Sequence, residues 1–469
     1  MKKLTRLFFV FIFIIACLAI FASCGKEYSE GLQYTYDYSD GACVEGLGKC
    51  KDRKVIIPEK DNKGNDVIVI SMSLNSYMDC THVTEMILPK TLRWFNYGYE
   101  TMTREMPNLK FNEYGYGKYL GTKDNPYFVI VNYSNPLATA IEIHPDTKII
   151  APKVFQDMEN LTSAIIPDGI RYVGSGAYRN CPNLNGVYIP PSVIAMSEST
   201  FWGCTALESI TIPGTLKNVC SHMFVDCTAL ETVIIAEGIE TIGYGAFSGC
   251  TALKDVILPK GIKTVSMSAF NGCTSLTEIA FDDGLETIGA SAFSGCSNLE
   301  KISIPSSLTY IPKYAFEGCD KLKYNRYENA LYLGNEETPY VALIKPLRAD
   351  ITTVDIHETT SAIMCGAFQE CIMLKNAAIP EGVTTIGQDT FKKCLSLTKL
   401  SLPSTITGIH HWAFKDCVTL WKIEFGGTME QWNLMKENEM GRHQGWAEGS
   451  KINKVYCSDG VIEITEEDR

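Results

Sequence analysis

The stretch Ala246-Phe-Ser-Gly-Cys-Thr-Ala-Leu253 contains the pattern that decides the fold, because it recurs every 23 residues along most of the chain. Its cysteine is one of ten that occupy the same position of the repeat: Cys181, Cys204, Cys227, Cys250, Cys273, Cys296, Cys319, Cys371, Cys394 and Cys417. An aromatic residue precedes each cysteine by three positions, and a leucine follows it by three. One such unit cannot bury its own apolar face, so the period predicts a solenoid in which successive turns stack on one another.

Each repeat contains two short segments that predict β-strands. In Leu207-Glu-Ser-Ile-Thr-Ile-Pro213 apolar and polar residues alternate, and the proline ends the strand because it lacks a backbone N–H. Ile239-Glu-Thr-Ile-Gly243 forms the second strand and runs into a glycine turn. The stretch from Ala246 to Cys250 is predicted to be one short helical turn. Together these segments predict a β-rich solenoid of about thirteen coils of 23 residues, with parallel strands about 4.8 Å apart.

The aromatic and cysteine positions form two columns that we interpret as the core of the solenoid. Two other interpretations of the cysteines are a row of metal ligands and a chain of disulfides. Same-position cysteines on adjacent turns would stand about 4.8 Å apart, whereas a disulfide needs Cβ atoms about 3.8 Å apart. Zinc sites usually include a Cys-x-x-Cys pair, and the sequence contains none. We therefore expect no metal or cofactor, and a structural ladder formed by Phe247, Phe270, Phe293, Cys250, Cys273 and Cys296.

The beginning of the chain has the composition of an export signal. Three basic residues within the first six precede an apolar run of 15 residues, 7–21, which is short for a membrane span of about 20 residues. Phe21-Ala-Ser-Cys24 resembles a bacterial lipobox, so residues 1–23 are predicted to be a lipoprotein signal peptide and Cys24 the lipid anchor. An ordinary signal peptide, cut after a small residue, is the alternative. In both cases the rest of the chain is expected to be extracytoplasmic.

The rest of the chain divides into a tether, two caps and the repeats. A solenoid needs terminal caps with a polar outer face, because its end turns would otherwise expose the core. The predicted segments are a tether at 24–30, an N-terminal β cap at 31–70, the solenoid at 71–425 and a C-terminal cap at 426–469. Cys43 and Cys50 both lie in the N-terminal cap, and whether they form a disulfide stays open.

Two gaps of 52 residues interrupt the spacing where 23 residues are expected, and the extra residues in them match. Tyr119-Leu-Gly-Thr-Lys-Asp-Asn-Pro-Tyr127 corresponds to Tyr332-Leu-Gly-Asn-Glu-Glu-Thr-Pro-Tyr340, 213 positions later. A larger module has therefore been duplicated. Each surplus contains turn-forming glycine and asparagine residues and predicts a β-hairpin insert, one near 110–138 and one near 323–351.

Charge and motif content disfavour several classes of function. The net charge is −12 at pH 7 and no basic stripe is present, which argues against nucleic acid and against electrostatic docking on anionic lipid. Membrane contact is therefore expected only through the lipid anchor. The sequence has no nucleophile elbow, no P-loop and no dinucleotide-binding glycine motif. A Cys–His nucleophile pair would need an exposed cysteine, so neither a catalytic residue nor enzyme activity is predicted.

The side chains best placed to bind a partner are those in the middle of the first strand of each repeat, which point away from the core. In successive repeats these candidate binding residues are Tyr188, Thr211, Ile234, Ile257, Ala280 and Ser303. Ile234 and Ile257 would form a small exposed apolar spot, which is typical of a protein contact on a repeat surface. Simple β-propensity is the alternative explanation of these residues.

The consensus Leu-x-x-Ile-x-Ile-Pro-x-x-Val-x-x-Ile-Gly-x-x-Ala-Phe-x-x-Cys resembles the BspA-like, or Treponema-type, bacterial leucine-rich repeat. The stretch from Leu276 to Cys296 is a good copy, although Phe281-Asp282 replaces the Ile-Pro pair. The resemblance implies a cell-surface binding or adhesion protein whose partner is a protein or glycan on host or neighbouring cells. The alternatives are a structural or self-assembly role in the cell envelope and, less favoured, an enzyme. The repeat motif is structural, so the resemblance transfers no binding residue.

Overall fold

A computed structural model describes residues 28–38, 41–47, 50–71, 80–435 and 445–466. The predicted signal peptide and the predicted anchor Cys24 lie outside these residues. The chain divides into an N-terminal unit, formed by Met1–Pro182 and Pro190–Thr200, and a C-terminal unit, formed by Asn183–Ile189 and Phe201–Arg469. Within the described ranges, no helix is long and apolar enough to cross a membrane.

The N-terminal unit contains one helix and 13 strands among its described residues. The helix is α1 (Tyr99–Glu105), and the strands are β1 (Gln33–Tyr38), β2 (Gly41–Gly46), β3 (Lys54–Ile56), β4 (Val67–Ile70), β5 (Glu85–Ile87), β6 (Trp94–Phe95), β7 (Asn112–Tyr114), β8 (Gly117–Leu120), β9 (Val129–Tyr133), β10 (Ile149–Ile150), β11 (Ser163–Ile165), β12 (Tyr172–Val173) and β14 (Ala195–Met196). Their order in the sheets is β1-β2-β4-β6, β3-β5 and β14-β12-β10-β9-β8-β7.

The C-terminal unit contains the remaining elements of the described chain. They are a 3-10 helix (Gly214–Leu216), α2 (Met429–Met435), and strands β13 (Gly186–Tyr188), β15 (Ser209–Ile212), β16 (Asn218–Val219), β17 (Thr232–Ile235), β18 (Thr241–Ile242), β19 (Asp255–Ile257), β20 (Thr264–Val265), β21 (Glu278–Ala280), β22 (Thr287–Ile288), β23 (Lys301–Ser303), β24 (Asn325–Tyr327), β25 (Ala330–Leu333), β26 (Ala342–Pro346), β27 (Thr353–Val354), β28 (Ala362–Ile363), β29 (Asn376–Ala378), β30 (Thr385–Ile386), β31 (Lys399–Leu402), β32 (Gly408–Ile409), β33 (Lys422–Phe425), β34 (Lys454–Cys457) and β35 (Gly460–Glu463). These elements form several short sheets, the largest ordered β27-β29-β31-β33-β34-β35.

The repeats stack as parallel strands in an in-phase register of 23 residues, which confirms the predicted solenoid. In the C-terminal unit, the second strands of four successive repeats form the continuous ladder β16-β18-β20-β22. Its apolar members Val219, Ile242, Val265 and Ile288 are register partners and are all buried. Residues 23 positions apart are therefore joined by backbone pairing, and their apolar side chains are buried at the same positions.

The stretch from Ala246 to Cys250 is not the predicted helical turn. It consists of consecutive tight turns in which Gly245 and Gly249 have left-handed backbone conformations, with φ of 57° and 76°. Successive backbone N–H groups alternate between a hydrogen bond within the turn and one to the next repeat. Cys250 N–H donates to the Phe247 carbonyl (3.2 Å) within the turn, whereas Phe247 N–H donates to the Ala269 carbonyl (2.8 Å) of the next repeat. These turns form a third ladder, which we call the turn ladder.

The structure contains about sixteen turns, so the predicted number of thirteen is too low. Part of the difference lies in the two inserts. Strand β9 pairs antiparallel with β8 but parallel with β10, and β26 pairs antiparallel with β25 but parallel with β28. Each insert therefore places one strand in a solenoid ladder beside its hairpin strands. These turns lack the aromatic-cysteine motif by which the repeats were counted.

Both ends of the described chain change from parallel to antiparallel pairing. At the N-terminal end, β1 pairs antiparallel with β2, while β4 already pairs parallel with β6. At the C-terminal end, β34 pairs parallel with β33 and antiparallel with β35. Helix α2 begins with a reciprocal capping box, in which Gln431 N–H donates to Thr428 Oγ1 (3.2 Å) and Thr428 N–H donates to Gln431 Oε1 (2.8 Å). Buried Trp432 and Trp446 cover the core at this end.

Candidate functional site

The aromatic column of the repeat is a file of stacked rings inside the C-terminal unit. Phe247, Phe270 and Phe293 are fully buried. The Phe270 ring centroid lies 5.3 Å from that of Phe247 and 5.3 Å from that of Phe293, with interplanar angles of 14° and 7°. A ring with a neighbour on each face has no surface left for a ligand, so this column supports the fold.

Cysteines of the column donate hydrogen bonds between adjacent turns, a role that our sequence interpretation did not include. The Cys250 thiol donates to the Phe224 carbonyl at 3.1 Å, and the Cys273 thiol donates to the Phe247 carbonyl at 3.2 Å. The Cys296 thiol donates in the same way to the Phe270 carbonyl at 3.1 Å. These cysteines therefore join their turns to the preceding ones through a side chain as well as through the backbone.

Three buried thiols in the middle of this column are unsuited to nucleophilic catalysis or metal binding. Burial raises the pKa of Cys227 to about 12 and also raises the pKa of Cys250 and Cys273 above the ordinary value of a thiol. At neutral pH these groups stay protonated, and the thiolate is the form that attacks or ligates. The structure holds Cys43 and Cys50 as buried thiols too. In the described part of the chain, no group of three or more His, Cys, Asp or Glu side chains is arranged to hold a metal.

The candidate binding residues lie on the outer side of the first strand ladder, and we call this surface the strand face. Its members are Tyr188, Thr211, Ile234, Ile257, Ala280 and Ser303. All are exposed except Ser303, which is partly buried. Their alternation with buried neighbours follows from the two-residue period of a strand, which turns successive side chains to opposite faces.

The strand face is divided between separate sheets. Thr211, Ile234 and Ile257 are direct register partners on β15, β17 and β19. Ala280 and Ser303 pair with each other on β21 and β23, which form a sheet of their own. Tyr188, on β13, also lies outside the sheet of β15, β17 and β19, so the continuous ladder predicted for these residues is interrupted between β13 and β15 and again between β19 and β21.

Two neighbouring isoleucines form an apolar spot on this face. Ile234 is 39% exposed and Ile257 is 55% exposed, and parallel strands place them about 4.8 Å apart. An ion pair between Lys254 and Glu231, with Nζ 3.3 Å from Oε2, lies on the same two repeats just before the strands. The arrangement of an apolar centre beside charged side chains resembles a small recognition patch.

A model of the BspA type leucine rich repeat region matches residues 132–254, 241–336 and 348–435, in six copies. These segments make up more than half of the 469 residues. The chain belongs to the BspA-type leucine-rich repeat family. One repeat family therefore accounts for the matched segments of this BspA-type protein. Its repeat carries the aromatic column and the 23-residue register of the solenoid.

Solved structures of three bacterial proteins are similar to this BspA-type chain. A leucine rich cell surface protein from Faecalibacterium prausnitzii is 26% identical and is covered over 97% of its length by 70% of this chain, with a TM-score of 0.38. A leucine-rich repeat protein from Bacteroides ovatus is 23% identical, and the match covers 98% of that protein and 90% of this chain with a TM-score of 0.42. The leucine rich repeat protein of T. pallidum is 24% identical, and the match covers 92% of that protein and 41% of this chain with a TM-score of 0.36. No curated protein gives a significant match.

The BspA-type solenoid also carries an exposed apolar row that our sequence interpretation missed. The residue after the cysteine is Thr251, Thr274 or Ser297 in the central repeats. In three later repeats of the same unit this position is apolar and exposed, and it is occupied by Ile372, Leu395 and Val418. The signal was present in the sequence as a change from polar to apolar at one position, but it lay outside the strand.

Proposed function

We propose that this chain is a non-catalytic binding protein of the bacterial cell surface, which is anchored through Cys24 and holds a protein partner on the strand face. The observation that supports this proposal most is the pair Ile234 and Ile257, two exposed isoleucines in register on adjacent strands. Apolar side chains gathered beside charged ones on an otherwise polar surface are typical of protein recognition.

Two further observations support a binding role in preference to catalysis. Membership of the BspA-type family favours a surface-exposed repeat protein, since this fold presents an extended face of repeated side chains. Cys227, Cys250 and Cys273 are buried and stay protonated at neutral pH, so they offer no activated nucleophile. The buried aromatic column likewise leaves recognition to the residues between the apolar positions.

We expect the double variant Ile234→Asp/Ile257→Asp to bind its partner at least about tenfold more weakly than the wild type, because central apolar residues dominate an interface. The measurement is surface plasmon resonance of the mature chain over immobilised fibronectin, laminin and collagen. Since both side chains are exposed, the thermal unfolding midpoint should change little.

A matched control introduces the same charges at another exposed apolar position of the same unit. The variant Ile372→Asp/Leu395→Asp should keep wild-type binding if recognition is on the strand face. Equal loss in both double variants would show that added negative charge alone weakens binding, and the strand face would lose its proposed role. Binding unchanged in the first variant, together with self-association of the chain on sedimentation, would favour the alternative of a scaffold in the cell envelope.

We expect radiolabelled palmitate to be incorporated into the wild-type chain in a bacterial expression host and not into the Cys24→Ala variant. The reason is that Phe21-Ala-Ser-Cys24 offers the small residues and the cysteine that a lipidation site requires. Fractionation of the same cells should move the variant from the membrane to the soluble fraction. Label retained after Cys24→Ala would exclude this cysteine as the anchor.

A further inference from the structure

The duplication has kept one small cluster of side chains at each of the two inserts. Two tyrosines of the insert and an acidic residue and a histidine just after it recur: Tyr114, Tyr127, Glu142 and His144 at the first insert, and Tyr327, Tyr340, Asp355 and His357 at the second. Each set lies 213 positions from the other. We call them the first and second Tyr–His clusters. The first belongs to the N-terminal unit and the second to the C-terminal unit.

In the first cluster, two partly buried tyrosine rings contact the partly buried histidine ring. The Tyr127 ring stacks on His144 with centroids 3.9 Å apart and an interplanar angle of 20°, and Tyr114 meets His144 edge-on at 4.8 Å and 84°. The Tyr114 hydroxyl donates to Glu142 Oε1 at 2.7 Å, and this hydrogen bond raises the pKa of Tyr114. The cluster thus presents aromatic surface next to an exposed carboxylate.

The second cluster repeats this arrangement in a different unit. Tyr327 meets His357 edge-on at 4.7 Å and 86°, and the Tyr340 ring lies 4.5 Å from His357 at 38°. The negative charge of Asp355 raises the pKa of Tyr327. All three rings are again partly buried, and Asp355 is exposed.

The histidine of each cluster is held in one orientation and one tautomer. His144 Nδ1 accepts the Asp146 N–H at 3.2 Å, and His357 Nδ1 accepts the Thr359 N–H at 3.2 Å. Because Nδ1 accepts, the proton of the neutral ring is on Nε2, which can donate a hydrogen bond. The His144 backbone N–H donates to the buried Tyr119 hydroxyl at 3.1 Å, which fixes the ring further.

The surface around the clusters has changed between the two copies, whereas the tyrosines and the histidine are identical and the acidic residue changes only from Glu142 to Asp355. Many positions of the inserts differ in chemical character. They include two reversals of charge, Glu113 to Arg326 and Lys123 to Glu336, and the replacements of Tyr116 by Asn329, Lys118 by Leu331 and Ser134 by Leu347. Packing alone would accept Phe or Leu in place of Tyr114, because its hydroxyl contacts an exposed carboxylate. Retention of both the hydroxyl and the acid therefore indicates a ligand.

We propose that each Tyr–His cluster binds one neutral sugar residue of a glycan. A pyranose has an apolar C–H face that fits against a tyrosine ring, and its hydroxyls fit the carboxylate and the Nε2–H group. The acidic residue disfavours an anionic ligand. The rings contact one another, so they leave no space between them for a cation cage. This site is independent of the strand face.

Isothermal titration of the mature full-length chain with maltohexaose, cellohexaose, xylohexaose and mannohexaose tests the proposal. We expect at least one of these neutral oligosaccharides to bind at two sites per chain. Tyr127→Leu should remove one site and Tyr340→Leu the other, and the double variant should bind at least about tenfold more weakly. Glu142→Gln/Asp355→Asn, which keeps every ring, should also weaken binding.

Tyr116→Leu is the matched control, because Tyr116 is 56% exposed in the first insert but is replaced by Asn329 in the second. This variant should keep both sites. Thermal unfolding of each variant shows whether it is folded, so that lost binding is assigned to the cluster. Absence of binding to all four oligosaccharides, or binding that survives Tyr127→Leu/Tyr340→Leu, would overturn the proposal. Loss of matrix-protein binding in that double variant, without any sugar binding, would overturn it as well.

Discussion

Phe270→Ala should lower the free energy of unfolding by about 3–5 kcal/mol, because it removes a fully buried ring from the middle of a stack. The neighbouring rings of Phe247 and Phe293 each lie 5.3 Å away. The cavity cannot close by moving the turns together. Their separation is fixed by backbone hydrogen bonds, such as those from Phe247 N–H to Ala269 and from Phe270 N–H to Ala292, both 2.8 Å.

Urea unfolding of the full chain measures this loss, and hydrogen exchange shows whether the amides of the turns around residue 270 are the ones that lose protection. Phe270→Leu keeps much of the apolar volume and should be milder, by no more than about 1.5 kcal/mol. Tyr188→Ala, at a half-exposed position, should stay within about 0.5 kcal/mol of the wild type. A Phe270→Ala variant as stable as Tyr188→Ala would contradict the buried column.

The sequence predicted the solenoid well because its period is carried by side chains that must be buried together. Phe270 and Cys273 recur at fixed intervals, and stacking is the arrangement that buries them all. The turn ladder was predicted wrongly because its hydrogen bonds join residues of different repeats. The spacing of Phe247 and Cys250 fits a helical turn locally, but the Phe247 N–H is used by Ala269 of the next repeat.

The number of turns was underestimated for a related reason. Val129 and Ile130 pair with Ile149 and Ile150 in a parallel ladder, yet no aromatic-cysteine motif marks their turn. A strand of two or three apolar residues has too little pattern to be assigned to a ladder without its partner. The neighbouring hairpin strands obscure the signal further, since their own alternation of apolar and polar residues arises from the hairpin.

The candidate sites were predictable to different degrees. The exposure of Ile234 and Ile257 follows from strand alternation alone, but the breaks in the strand face do not. The break between β19 and β21 coincides with Phe281-Asp282, where the usual Ile-Pro pair is missing and β21 ends at Ala280. The Tyr–His clusters were visible as matching letters in two inserts. Their contacts were not, because Tyr127 and His144 are brought together by the path of the hairpin.

Gly289→Val should destabilise the chain by about 3 kcal/mol, at the upper end of the effect of overpacking. Gly289 has no unusual backbone conformation, so the reason is space. A Cβ atom at this position would lie 2.5 Å from the carbonyl carbon of Ser266 and closer still to the Met267 nitrogen. Both atoms are backbone of the preceding turn, which is tied to Gly289 by the hydrogen bond from its N–H to the Val265 carbonyl at 2.7 Å.

Gly272→Ala is the matched comparison, because this glycine is present for the opposite reason. Its φ of 74° is left-handed, while a Cβ there would meet nothing closer than 3.8 Å, at the backbone of Gly249. Conformational strain alone should cost about 1–2 kcal/mol, less than Gly289→Val. Urea unfolding of both variants measures the difference. Equal costs, or a larger one for Gly272→Ala, would mean that adjacent turns can separate to admit a side chain, and that backbone contact does not set their spacing.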